Sequence, residues 1–239
     1  MERPIHILAA DALAEEGLEF IKGQPDTVLA HKPGLSVAEL SAIIGDYDGL
    51  IVRSGVQITS EVLASAGKLR AIARAGVGVD NIDVDAATAK GIVVMNSAEA
   101  STTSTAEHAF ALMLALTRRI GHAYVNFRGG GWDRSQFSGN QLSGKTLGVI
   151  GFGRIGQAVA ARAIAFEMNV LAYDPFINAK TMMDGRVKMH QDFTALLPHV
   201  DILTFHVPLN DQTGNMLCAK TLEHCRHGVM VINASRGGV

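Results

Sequence analysis

The residues Gly151-Phe152-Gly153-Arg154-Ile155-Gly156 place three glycines at the spacing G-x-G-x-x-G. That spacing lets a turn close, leaves bare backbone open to a charged group and lets a following helix lie tightly on its strand. A pyrophosphate suits such a turn, because a helix N-terminus offers unpaired N–H groups and the positive end of the helix dipole. The flanks agree: the apolar run Thr146–Ile150 predicts a buried strand, and the apolar pattern over 155–166 predicts a helix. A second apolar run, 170–173, ends in Asp174. A carboxylate there can accept both ribose hydroxyls of an adenosine and repels a 2′-phosphate, which favours NAD over NADP. A tight strand-to-helix turn that binds no nucleotide could use the same glycines, but the acid after the second strand weighs against it.

These residues need a scaffold, and the chain reads as two βα series. In the first, strands are expected at 5–9, 27–30, 49–52, 69–73 and 92–94, with helices near 12–22, 37–44, 60–66 and 83–90. Five strands with intervening helices imply an open parallel sheet covered on both faces, with ligands beyond the carboxyl ends of its strands. Arg53-Ser54-Gly55-Val56 and Gly76-Val77-Gly78-Val79-Asp80-Asn81 fall at two such ends. From pattern alone two readings stand equally: a backbone-and-arginine cradle for a carboxylate or phosphate, or tight turns and nothing more.

A long helix is expected over 102–120, with Ser104 and Glu107 as a capping box and Arg118-Arg119 at its negative end. Its apolar stripe of Phe110, Leu112, Met113, Leu114 and Leu116 is wide enough to pack on two sides, as at a domain or subunit boundary. Residues 121–144, with Trp132, Arg134 and Phe137, read as a projecting arm. The second series has strands at 146–150, 170–173, 187–189, 202–205 and 229–232, and a helix near 218–225.

Composition bounds the function. Hydrophobic residues make up 48% of the 239 and aromatic ones only 5%, so the core is aliphatic, as buried parallel strands require. A net charge of −2 gives no footprint for nucleic acid or an anionic membrane. The apolar run 109–117 is too short to span a bilayer, and Met1-Glu2-Arg3-Pro4 followed by Asp11, Glu15 and Glu16 does not read as a signal peptide. A cytoplasmic location is expected. Cys218 and Cys225, placed on one helix, would lie about 10 Å apart, too far for a disulfide. With His224 and His227 they match no common zinc spacing, so no metal is expected.

Across its whole length the sequence resembles the D-isomer-specific 2-hydroxyacid dehydrogenases, and among them the D-3-phosphoglycerate dehydrogenases. The matching stretches are Gly49-Leu-Ile-Val-Arg-Ser54, Arg74-Ala-Gly-Val-Gly-Val-Asp-Asn81, Gly91-Ile-Val-Val-Met-Asn96 and Ser104-Thr-Ala-Glu-His108. They continue in Gly144 to Gly156, Tyr173-Asp-Pro175, His206-Val-Pro-Leu209 and Asn233-Ala-Ser-Arg-Gly-Gly238. The resemblance implies an α/β protein of two doubly wound parallel-sheet domains: a flavodoxin-like substrate domain over 1–97, and a Rossmann NAD domain over 98–239 that lacks its final strands. It implies that Gly151, Gly153, Arg154, Ile155 and Gly156 hold the pyrophosphate and Asp174 the ribose. His206, Pro208 and Thr213 would line the adenine side, with Ala234 and Arg236 near the nicotinamide. Arg236 would be the catalytic residue that orients the carboxylate and carbonyl of a small anionic 2-hydroxy or 2-oxo acid. Arg53, Ser54, Val77 and Gly78 would hold the acid group, and Arg74 would add a phosphate contact. Arg134 matches a position that reaches a neighbour's site in some relatives, although a solvated arm residue is an equal reading.

Ser101 stands where the family carries a substrate-binding asparagine, which opens the choice of 2-hydroxy acid. The family's catalytic histidine and its glutamate lie beyond the Asn233–Gly238 motif, so this chain alone is expected to be weakly active or inactive, with the strand 229–232 at a sheet edge. His206 and His108 are poor substitutes for that histidine: one falls on the adenine side, the other at the start of the long helix. The reaction implied is NAD-dependent oxidation of 3-phosphoglycerate in serine biosynthesis, by a homodimer joined through the long helix and arm. The alternative is a non-catalytic NAD(H)-binding redox sensor or scaffold.

Overall fold

The computed structural model describes residues 3–239; Met1 and Glu2 of the N-terminal segment read above lie outside them. The chain forms two compact units, residues 1–101 and 102–239.

In the first unit β1 (Ile5–Ala9), α1 (Glu15–Lys22), β2 (Thr27–His31), α2 (Val37–Ile43), β3 (Gly49–Val52), α3 (Ser60–Ala64), β4 (Ala71–Arg74), α4 (Val84–Ala89) and β5 (Val93–Asn96) alternate. The sheet is parallel throughout, in the order β2-β1-β3-β4-β5, which is the flavodoxin-like order. The local reasons are legible. Ser36 and Glu39 form a capping box on α2, and Thr59 and Asp83 cap α3 and α4 through their side chains. The core joins Leu8, Leu50, Val52 and Ile72 of the strands to Leu40, Val62, Leu63 and Ala87 of the helices. At the amino-terminal side Asp48 is buried. Its carboxylate accepts hydrogen bonds from Arg3 at 2.5 and 3.1 Å and from the His6 backbone at 3.0 Å. The Arg3 guanidinium and the His6 N–H hold its pKa down at about 2.

The second unit contains α5 (Thr102–Thr117), α6 (Ile120–Arg128), β6 (Thr146–Ile150), α7 (Arg154–Ala165), β7 (Asn169–Tyr173), β8 (Thr181–Met182), β9 (Val187–His190), α8 (Phe193–Leu196), β10 (Ile202–Phe205), α9 (Ala219–Leu222) and β11 (Met230–Asn233). Its sheet runs β11-β10-β6-β7-β9-β8, all parallel except β8. Strand order reverses at β6, so the carboxyl ends of β6 and β10 flank the switch point where doubly wound sheets hold ligands. One face of the sheet packs Leu147, Val149, Val170 and Ala172 against Ala106, Ala109, Phe110 and Met113 of α5 and Val159, Ala160 and Ala163 of α7. The small residues let both helices lie close. The other face packs Ile150, Leu203 and Phe205 under Phe193, Leu196, Leu197 and Val200.

Four expectations need correction. The expected 102–120 helix is two helices, broken where Arg119 turns left-handed (φ 55°). Asn140 N donates to Thr117 O, an acceptor that a continuous helix would have used, and the Arg119 guanidinium donates to Gln136 O at 2.8 Å. Ser104, expected to open a capping box with Glu107, lies inside α5, which begins at Thr102. The segment 121–144 is not all arm, since α6 occupies its first part. Finally, only Ala219–Leu222 is helical where 218–225 was expected, and both cysteines are free thiols. The hairpin strand β8 and the short helix α8 were not anticipated from sequence. Among the described residues no helix is long and apolar enough to cross a membrane, and no cluster of side chains could hold a metal ion.

Candidate functional site

The glycine turn is built by β6 running into α7. Gly151 has φ +86°, a conformation that glycine adopts without steric cost. A Cβ there would lie 2.6 Å from His206 O and 2.8 Å from Val207 Cγ1, so the loops after β6 and β10 meet at this point. A Cβ at Gly156 would collide with the Gly151 carbonyl, which is why the first turn of α7 can lie directly on the strand. Gly153 differs from both. It is exposed, it is the N-cap of α7 with no side chain to cap the helix, and a Cβ there would meet nothing within 4 Å. The helix start therefore faces open space with bare backbone, the shape and polarity that a pyrophosphate needs. Arg154 is exposed on the first turn of α7, and Ile155 packs into the core below.

Asp174, at the end of β7, is tied to that turn. Its Oδ2 accepts from Phe152 N at 2.9 Å and its Oδ1 from Phe176 N at 3.0 Å. Each carboxylate oxygen has a further lone pair, so two ribose hydroxyls can still be accepted while the acid holds the turn.

Beyond β10, His206 donates its backbone N–H to Ile150 O at 2.7 Å, and its Nε2 pairs with the buried Thr204 hydroxyl at 3.0 Å. Burial pushes the His206 pKa down to about 4, so the ring is neutral near pH 7. Pro208 is exposed; its carbonyl accepts from Thr213 Oγ1 at 2.5 Å, and Asn210 N donates to the same hydroxyl at 2.9 Å. Thr213 thus shapes the loop from within. At the end of β11, Asn233 Nδ2 donates to Arg236 O at 2.8 Å, and its Oδ1 accepts from Ser235 N at 2.9 Å. This fixes the turn that carries Ala234 and Arg236, both partly buried. Asn215 N donates to Gly238 O at 2.9 Å, joining the β10 and β11 loops. All eleven nucleotide-side residues named from sequence therefore lie at the carboxyl ends of β6, β7, β10 and β11. His108 is exposed on α5 and Arg134 on the arm.

In the first unit, Arg53 and Ser54 follow β3 and are exposed, Arg74 ends β4, and Val77 and Gly78 lie in the next loop. Asp11, just after β1, accepts from Arg53 N at 2.7 Å. Buried Asn81 donates from Nδ2 to both Arg53 O and Val56 O at 2.7 Å, stitching the β3 and β4 loops together. The Arg74 guanidinium lies where a side chain at Gly76 would sit. Ser101 closes this unit. Sequence reading missed Asp11, Thr204 and the positioning parts of Asn81 and Asn233. Asp11 had a usable signal, a lone acid immediately after the first strand.

Residues 110–239 match the family described as D-isomer specific 2-hydroxyacid dehydrogenase, NAD binding domain. The chain belongs to the D-isomer specific 2-hydroxyacid dehydrogenases. NAD is the cofactor of this domain, and the open helix start and tethered acid fit it. A D-3-phosphoglycerate dehydrogenase of Archaeoglobus fulgidus is 44% identical over 233 residues, covering 98% of this chain and 44% of that protein. One from Mycobacterium leprae is 41% identical, covering 100% and 44%. The chain thus spans less than half the length of these curated relatives. Among solved structures, the D-lactate dehydrogenase of Aquifex aeolicus, complexed with NAD and lactic acid, superposes with a TM-score of 0.87 at 28% identity. It is covered to 69%, with 98% of this chain aligned. The TT0316 protein of Thermus thermophilus gives 0.87 at 32% identity, with 98% and 75% covered.

Proposed function

We propose that the chain forms the acid-binding portion (1–97) and the NAD-binding portion (98–239) of a cytoplasmic dehydrogenase that oxidises 3-phosphoglycerate for serine biosynthesis. The observation that carries this is the pairing of an uncapped, open helix start at Gly153 with a carboxylate, Asp174, tethered to the same turn. Gly151, Gly153, Arg154, Ile155 and Gly156 hold the pyrophosphate, and Asp174 holds the ribose. His206, Pro208 and Thr213 border the adenine, and Ala234 and Arg236 the nicotinamide. Bound NAD supplies a hydride acceptor for C2 of the hydroxy acid. Arg236 orients the substrate carboxylate by its forked donors. Arg53, Ser54, Val77 and Gly78 hold the acid group, Ser101 borders it, and Arg74 meets the phosphate.

His206 does not take the hydroxyl proton in this reading. A group with a pKa of about 4, hydrogen-bonded to Thr204, is a poor base at neutral pH. That same observation favours a second reading for the chain by itself, NAD(H) binding without turnover. The two are separated by NADH fluorescence titration run beside a turnover assay with 3-phosphoglycerate and NAD. Turnover that is lost in Arg236→Ala supports the dehydrogenase; binding without turnover supports the second reading; no NADH binding overturns both.

The dimer is part of the proposal. Leu116, Ile120, Tyr124, Phe127 and Trp132 are all exposed around α5, α6 and the arm, with Trp132 at 76%. Phe127 and Trp132 stack edge-on, with centroids 6.0 Å apart. A contiguous apolar face of this kind marks an association surface, and sedimentation of Tyr124→Glu should show monomer where the parent shows dimer.

A further inference from the structure

A second groove, of about 760 Å³, lies in the NAD-binding unit away from the glycine turn. It starts at the amino-terminal ends of β6 and β7, at Thr146 and Asn169, and runs to β9. Its polar lining is basic: Arg186, Lys188, His190, His199 and Arg226, with no carboxylate among the residues that line it. Lys188 and His190 share one face of β9 because they alternate with the buried Val187 and Met189. They pair in register with Leu171 and Tyr173 of β7. Arg226 is held in place, donating from Nε to Pro198 O at 2.9 Å and from Nη1 to Asp201 Oδ1 at 3.3 Å. Arg186 donates from Nε to Met183 O at 3.2 Å and lies 3.8 Å from Asp184, itself 96% exposed.

We propose that this groove binds a small, multiply charged phosphate-bearing anion at a site separate from the cofactor. Two guanidinium groups and an ammonium share one concavity with two imidazoles, so an anion there meets several N–H donors at once. Burial, and then the neighbouring His199 and Lys188, push the His190 pKa down. Forked guanidinium donors match phosphate oxygens, and the volume lies within the range of small-molecule sites. It exceeds what a single bound phosphate would fill, which points to a diphosphate or a phosphorylated metabolite.

The test is calorimetric titration of the chain with inorganic pyrophosphate while NADH saturates the glycine turn. Binding should persist under NADH, weaken as salt rises, and fall roughly tenfold or more in the double variant Arg186→Gln, Lys188→Gln, whose NADH affinity should match the parent's. Both side chains are exposed, so folding should survive the change. Three outcomes overturn the proposal: no heat at roughly millimolar pyrophosphate, loss of binding when NADH is added, or equal affinity in the double variant. The second would place the ion on the glycine turn.

Discussion

Asp174→Ala should damage both the fold and the cofactor site, by amounts that can be worked out separately. In the folded chain Asp174 Oδ2 accepts the Phe152 N–H at 2.9 Å, and Phe152 is fully buried. Removing the carboxylate strands that donor, at a cost of about 1–3 kcal/mol. The bond to Phe176 N adds little, because Phe176 is 91% exposed and water can replace the acceptor. Urea denaturation should therefore show a loss of about 1–3 kcal/mol. For the cofactor, hydrogen bonds from ribose hydroxyls to a charged acceptor contribute about 1.5–3 kcal/mol. NADH affinity should then fall roughly 10- to 150-fold. NADPH affinity should fall less, since the charge repelling its 2′-phosphate is gone. Asp174→Asn keeps one carbonyl oxygen and should lie between parent and Ala in both assays. If Asp174→Ala keeps the parent's urea midpoint and its NADH affinity within twofold, the double role assigned to this carboxylate is wrong.

Gly156→Ala puts a methyl group into the Gly151 carbonyl and should cost about 1–3 kcal/mol and abolish NADH binding, read by thermal melt and fluorescence. Asp48, with a folded pKa of about 2 against an unfolded value of about 3.9, stabilises the fold above the unfolded value and ceases to do so as pH falls through 2. Arg3→Ala should move the Asp48 NMR titration upward and shift acid unfolding to higher pH. His206 has linkage of the same sign in a higher window: its folded pKa of about 4 lies below the unfolded 6.5, so the unfolded chain binds more protons between those values and stability rises with pH across that window. His206→Gln should flatten that part of the curve in urea melts at stepped pH, and an imidazole NMR titration with a midpoint near 6.5 would contradict the assignment.

The parts of the fold written in local chemistry were readable from sequence. Parallel strands such as Ile202–Phe205 are apolar on both faces, and the glycine spacing, the turn and Asp174 follow one another within a single βαβ unit, so both sheets and the nucleotide end could be read directly. What escaped depends on contacts between distant residues. Arg119 breaks a helix whose composition favours continuation, because Gln136 and Asn140 return to take its polar groups. Asp11 and Asn81 look like ordinary loop residues until the sheet brings β1, β3 and β4 side by side, when their side chains fasten Arg53 from two directions. The basic groove was invisible for the same reason, since Lys188 and Arg226 are far apart in sequence.

The hairpin joining β8 to β9 also governs what the sheet can recruit. Asp184 and Gly185 both have positive φ (56° and 81°), and Arg186 N donates to Met183 O at 3.2 Å, a tight turn whose handedness suits a twisted ribbon. It folds a two-residue antiparallel strand over the flank of β9. Without it, β9 would present a row of unpaired amides to any extended chain nearby, the template from which intermolecular sheets and fibrils grow. With it, the flank ends in a strand too short to dock another. Replacing Asp184-Gly185 with a pair unable to turn this way would leave the nucleotide end untouched and convert this side of the molecule into a seed for aggregation.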